Sequence, residues 1–177
     1  MTRHLYLLRH AKSDWGDVDA PDHGRVLSPR GLRGAKALAN HLKRSPPKVE
    51  RIFCSTARRA RETLQVVHSA FGAPPLTFRR QLYLAAADDL LEFVRKLPSR
   101  YKSVVIIGHN PGFHELALAL MSHEERGKKR LRAKLEKKFP TGTLCELVFD
   151  IDDWSGVKPG RGRLNQMIRP RDVGVTS

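Results

Sequence analysis

The stretch Val104-Val105-Ile106-Ile107-Gly108-His109-Asn110-Pro111-Gly112 decides how this chain folds. Four β-branched residues in unbroken succession leave no polar face, the pattern of a central strand covered on both sides in a parallel sheet. Gly, Asn, Pro and Gly then stop the strand abruptly. Beyond them Phe113, Leu116, Ala117, Leu120 and Met121 resume at the spacing of one helix face. A strand that hands over to a helix through a short loop is the repeating step of α/β architecture.

Working outward, the same alternation recurs. Leu5–Leu8, Arg51–Cys54 and Leu144–Phe149 read as further strands. A first helix opens at Ser28-Pro29, an N-cap followed by proline at the first helical position. Its stripe runs through Leu32, Ala35, Leu38 and Leu42 and ends before Pro46-Pro47. A second carries Ala57, Ala60, Leu64, Val67 and Phe71 and stops at Gly72, and a third carries Leu90, Leu91, Val94 and Leu97 up to Pro98. These stripes are core and carry no chemistry. The expected fold is a three-layer α/β/α sandwich with a mostly parallel central sheet. Residues 1–177 contain no repeat, low-complexity tract or long linker, so a single domain is expected.

Composition narrows the setting. No apolar run approaches the ~20 residues of a membrane span, and Thr2-Arg3-His4 leads into only four apolar residues before Arg9, which is not a signal-peptide pattern. Cys54 and Cys145 have no zinc spacing and form no disulfide framework, which makes the cytoplasm the expected location, with both thiols reduced. The net charge of +15 is concentrated: residues 124–140 hold eight Lys/Arg against three acidic residues, and 158–171 hold five against none. Such a field attracts anions of many kinds and selects none by itself, and 124–140 also reads as a solvated, lysine-rich helix face.

In a parallel α/β sheet, ligands collect where strands end and helices begin. Arg9-His10 closes the first strand. Cys54-Ser55-Thr56 closes the second and enters a helix beginning Ala57-Arg58-Arg59-Ala60-Arg61, while Gly108-His109-Asn110 closes the central one. Two histidines and several arginines are thus expected on one sheet edge. A phosphate dianion needs several donors to replace its water, and guanidinium forks, imidazole N–H groups and helix amides supply them. A neutral imidazole is also a competent nucleophile near neutral pH. Singly, each of these residues also reads as structural; in combination they point to phosphoryl chemistry.

Three other readings compete. Cys54 stands where a cysteine phosphatase places its nucleophile, but that chemistry needs arginine at position 60, which is Ala60. His109 and His114 are five apart, which does not bring both onto one helix face as a metal pair requires, and no His-Glu-x-x-His motif exists. A basic non-catalytic module binding RNA or an acidic partner would explain the charge. Against nucleic acid, aromatics make up only 7% of the chain and no aromatic-rich RNA-recognition strand is present.

The residues also resemble a known family. Arg9-His10-Ala11 with Ser13 and Trp15 is similar to the Arg-His-Gly-Glu-Ser-x-Trp-Asn signature of the histidine phosphatases, the phosphoglycerate-mutase-like superfamily. Ser55-x-x-x-Arg59-Ala60-x-x-Thr63 resembles its second motif, and Gly108-His109-Asn110 its third. The chain length, Arg-His-Ala-Lys-Ser, Leu82-Tyr83-Leu84-Ala85, Lys138-Phe139-Pro140-Thr141 and Arg169-Pro170-Arg171-Asp172 resemble the compact SixA-type phosphohistidine phosphatase branch. The resemblance implies His10 as the nucleophile that becomes phosphohistidine. It implies Arg9, Arg59 and His109 as the rest of the phosphate pocket, with Ser13 and Asn110 binding substrate and no metal or cofactor. The implied partner is a phosphorylated protein or small phosphorylated substrate, with no membrane. Ala11, Lys12 and Gly16 depart from the signature. The glutamate that larger members use as general acid is missing, leaving Asp88 or Asp89 to serve or simply to cap a helix. A missing acid favours leaving groups that need little protonation, such as imidazole, phenol or an acyl phosphate.

Overall fold

The computed structural model describes residues 1–122 and 128–175. Six strands among them form one sheet: β1 (Thr2–Arg9), β2 (Arg51–Ser55), β3 (Leu76–Arg79), β4 (Ser103–Gly108), β5 (Leu144–Asp150) and β6 (Arg163–Ile168), in the order β3-β2-β4-β1-β5-β6. The four strands from β3 to β1 pair in parallel, whereas β5 runs antiparallel to β1 and β6 antiparallel to β5. The sheet is therefore mostly parallel.

Two buried clusters fill its two faces. Leu5, Leu7, Val104 and Ile106 point to one side, where they meet α3 (Ala87–Arg95), α4 (Gly112–Leu120) and α5 (Lys129–Lys137). Tyr6, Leu8, Val105 and Ile107 point to the other and meet α1 (Pro29–Arg44) and α2 (Arg58–Val67). Alternate residues of one strand thus serve two cores, which is why the Val104–Ile107 run has no polar member. The result is the expected three-layer sandwich.

Local signals act where they stand in the sequence. Ser28 Oγ accepts from the Gly31 amide at 3.0 Å and caps α1 with Pro29 at its first position. Gly72, at φ 81°, ends the 3-10 turn that continues α2, as the left-handed residue that stops such a turn. β3 and β6 carry no clear pattern. β3 has only four residues, and β6 pairs across a register irregularity at Glu146/Leu147 that breaks its alternation. The basic 124–140 stretch begins in residues 124–127, which lie outside the described residues; from Lys129 its described part includes α5.

Gly112 opens α4 against the loop that follows Tyr83. A Cβ there would stand 2.0 Å from the Ala85 carbonyl oxygen. Backbone would have to move, so Gly112→Ala is expected to cost about 3 kcal/mol, a fall of roughly 6–12 °C in melting midpoint for a chain of this size. A melting curve within 2 °C of the parent, roughly 0.5–1 kcal/mol on the same scale, would contradict that close approach.

Candidate active site

Several elements end at one edge of the sheet. Arg9 is the last residue of β1 and lies opposite Gly108 in the β1–β4 register, and the His10 amide donates to the Gly108 carbonyl at 3.0 Å. His10 and His109 are therefore the first residues past two adjacent parallel strands, with ring centroids 5.1 Å apart. α2 starts at Arg58, which places Arg59 in its first turn facing both rings. Thr63, one turn on, locks this corner: its hydroxyl donates to the Arg59 carbonyl at 2.7 Å and accepts from the Ala11 amide at 2.9 Å.

Arg59 is the hub. Its Nε donates to His10 Nε2 at 3.2 Å and its Nη2 to His109 Nδ1 at 3.3 Å. Nη1 donates to the Asp22 carbonyl at 2.6 Å, and Nη2 to the Asp22 carboxylate at 3.0 Å. Tyr83 Oη also donates to that carboxylate. These contacts fix the tautomers. His10 Nδ1 lies 2.7 Å from the Ala11 carbonyl, which can only accept, so Nδ1 carries the proton and Nε2 the lone pair. His109 accepts at Nδ1, so its Nε2 proton points to Ser55 Oγ at 2.7 Å. Arg9 Nη1 and Asn110 Nδ2 both donate to the Phe139 carbonyl at 2.9 Å, tying the strand ends to the segment before β5.

Burial pushes His10 down to about 4, an effect that the Ala11 carbonyl opposes and the Arg59 and Arg9 charges reinforce. His109 is pushed down to about 3 by burial, by His10 and by Arg59. Arg9 is lowered by its own burial and by the neighbouring Arg59. Burial works to raise the Asp22 carboxyl, but hydrogen bonds from Tyr83 and Arg59 outweigh it and keep Asp22 below its ordinary value. Two neutral imidazoles thus stand between two guanidinium groups, an arrangement suited to receiving an anion.

The six residues singled out from the sequence, Arg9, His10, Ser13, Arg59, His109 and Asn110, all line one cavity of about 300 Å³. Ser13 is buried and bridges to Leu27. Trp15 stays exposed at the rim, with the Arg25 guanidinium 3.8 Å above its ring. Asp88 and Asp89 lie exposed in the first turn of α3, and neither lines the cavity. His114 donates to the Leu135 carbonyl at 2.7 Å and fastens α4 to α5, apart from the His10 and His109 pair. Sequence reasoning missed Asp22 and the role of Tyr83. Asp22 sits in a patternless loop, and the available signal was only its place between β1 and α1, where a loop must cross the sheet edge.

Cys54 is fully buried among the α1 and α2 side chains, and burial pushes its thiol up to about 12. Such a thiol is inert at neutral pH. Cys54→Ser is expected to leave kcat for an aryl phosphate within about twofold of the parent; lost turnover in a folded variant would point back to a cysteine mechanism.

Comparison with known proteins follows the same lines. An uncharacterised protein of Mycobacterium tuberculosis is 34% identical over 164 residues, which cover 93% of this chain and all of the relative. The model of the Histidine phosphatase superfamily (branch 1) matches residues 5–83, the stretch that carries Arg9, His10 and Arg59. The chain belongs to the histidine phosphatase superfamily. Among solved structures, this histidine phosphatase is similar to one from Nakamurella multipartitia described as the phosphohistidine phosphatase SixA. That pair shares 27% identity and a TM-score of 0.79, covering 96% of this chain and 97% of the other. A SixA structure from Agrobacterium tumefaciens gives 27% identity and 0.76, with 95% and 98% covered. The likeness runs end to end, so the compact SixA-type architecture is the one this histidine phosphatase shares. No described helix is long and apolar enough to cross a membrane.

Proposed function

We propose that this histidine phosphatase hydrolyses phosphohistidine on a protein, by way of a phosphoryl group carried transiently on His10 Nε2. The observation that carries the reading is the state of that nitrogen. Its partner Nδ1 is committed to the Ala11 carbonyl, and its own lone pair faces Arg59 in a cavity with His109. In the first step Nε2 attacks phosphorus in line as the bond from phosphorus to the substrate imidazole breaks. In the second, water attacks phosphorus, the bond to Nε2 breaks, and inorganic phosphate leaves with His10 restored. Arg9, Arg59 and His109 hold the equatorial oxygens, where charge spreads in the transition state. The arriving dianion places a negative charge beside His109 that offsets the lowering by burial, His10 and Arg59, so that ring can charge and strengthen its grip.

The leaving group follows from the acids present. Asp22 is the carboxyl that lines the cavity, and its partners hold it ionised. An alkoxide would leave poorly without a proton donor. A phosphorylated imidazole takes a proton on its other nitrogen and departs as neutral imidazole, with no acid from the enzyme. Similarity to two structures described as phosphohistidine phosphatases supports the same choice.

The test is mass spectrometry of enzyme mixed with an aryl phosphate or a phosphohistidine peptide and quenched rapidly without acid, because the nitrogen–phosphorus bond is acid-labile. A phosphoryl adduct on the His10 peptide is expected; full activity in His10→Ala with no adduct in the parent would overturn the mechanism.

A pH prediction comes with it. A folded-state value of about 4 means that His10 keeps its lone pair down to that pH, well below the ordinary imidazole midpoint. In the ligand-free enzyme the His10 and His109 ring carbons are expected not to titrate by NMR between pH 5 and 8. The unfolded chain binds these protons first, so stability falls as pH drops below about 6.5. A midpoint near 6.5 in the folded enzyme would contradict the burial argument.

A further inference from the structure

The two basic stretches converge. α5 packs against β6, with Lys128 Nζ donating to the Leu164 carbonyl at 2.9 Å. Lys138, just past α5, and Arg169 and Arg171, just past β6, then line one cavity of about 570 Å³. Arg30 from the first turn of α1 and Lys12 from the loop after His10 complete its charged wall, and Pro140 and Pro170 lie between them. Lys12 and Thr141 also line the smaller cavity that holds His10, so the two are neighbours with a shared wall.

Arg169 is neutralised by two 2.9 Å bonds to Asp172, on which Lys134 also leans at 3.6 Å. Lys12, Arg30, Lys138 and Arg171 have no ion pair among the described residues. Four like charges brought by four separate parts of the chain repel one another, and an entering anion relieves that repulsion. Resting on the reading of the His10 site given above, we propose that this cavity receives aspartate or glutamate side chains flanking the phosphohistidine of the substrate protein. A phosphohistidine inserted beside His10 leaves its flanking chain across the adjoining surface, and the charge of that surface selects carboxylates. Recognition is thereby divided: one cavity takes the phosphoryl group common to all substrates, and the other reads the acidic neighbourhood.

The experiment uses the double variant Arg30→Glu/Arg171→Glu. Both residues are exposed, and glutamate in the first turn of α1 suits the helix dipole. Phosphohistidine peptides flanked by Asp/Glu or by Ala, and p-nitrophenyl phosphate, are compared at low salt. For the acidic peptide the variant is expected to raise KM about tenfold or more with kcat held, while the alanine peptide and p-nitrophenyl phosphate stay within about twofold. Equal effects on both peptides, or no preference for acidic flanks in the parent, overturn the proposal. An unphosphorylated acidic peptide, followed by fluorescence anisotropy, separates the two readings. If the parent hydrolyses p-nitrophenyl phosphate but neither peptide, the phosphohistidine reading fails; binding lost in the variant then still upholds the cavity, and unchanged binding overturns it. Inorganic tripolyphosphate that binds more tightly than the peptide, and is lost in the same variant, assigns the cavity to free polyphosphate and overturns the acidic-segment occupant.

Discussion

His10→Ala is expected to lower kcat by roughly 10⁴–10⁶-fold on phosphohistidine peptide and aryl phosphate alike, and to abolish the phosphoryl adduct. The size follows from the role. Removing a nucleophile removes the covalent route entirely, and what remains is the acceleration the pocket gives to direct attack by water. KM is expected to change little, because Arg9, Arg59 and His109 still bind the phosphate. The fold should hold as well, since the lost ring is already neutral and lines a cavity whose polar wall lets water take its place. Rapid-quench kinetics check each part separately. A loss of only tenfold would mean that His10 positions the substrate while another atom attacks.

Arg59→Ala carries the second large effect, a fall in kcat of roughly 10³-fold or more. One guanidinium contacts both imidazoles and the Asp22 carboxylate, so its removal takes away transition-state charge and the alignment of His10 Nε2 together. It also strands Asp22, with Tyr83 and Arg25 as its remaining partners. Arg59→Lys is expected to recover less than about tenfold of the loss. A lysine keeps the charge but cannot reach His10, His109 and Asp22 at once from a single ammonium. Full rescue by lysine would reduce Arg59 to a point charge and undo the geometric argument. Steady-state kinetics on the three proteins decide it.

The sheet-edge constellation was legible because each member follows a strand that announces itself. Val104–Ile107 can only be central, so Gly108-His109-Asn110 must lie where that strand meets its helix. Leu5–Leu8 places Arg9-His10 in the same way. Helix ends were legible where the chain punctuates itself, at Ser28-Pro29 and at Gly72. What stayed hidden depends on contacts between segments remote in sequence. Asp22 has no periodic context, and its importance comes from Arg59, which lies 37 residues further along. β6 was hidden because it carries an extra residue, Asn165, between those that pair with Glu146 and Leu147 of β5, which breaks its own alternation of buried residues. The antiparallel direction of β5 was equally invisible, since a run of buried residues reads the same whichever way its neighbour runs. Asp88 and Asp89 are the converse case: suggestive in the sequence, they sit on the exposed start of α3.

Arg9 stands opposite Gly108, so His10 and His109 succeed paired residues of two hydrogen-bonded strands. Their separation is therefore inherited from the backbone ladder, whose spacing is about 4.8 Å in any sheet, and the rings stand 5.1 Å apart. A gap set by side-chain packing could widen with temperature or with a distant mutation. The backbone part of this one is a ruler cut into the main chain, which changes only if β1 and β4 come apart, while Arg59, the Ala11 carbonyl and Ser55 hold the rings at its marks. Tuning this enzyme toward other substrates should therefore proceed at the rim, around Trp15, Leu84 and Thr141, and leave the distance between the two imidazoles untouched.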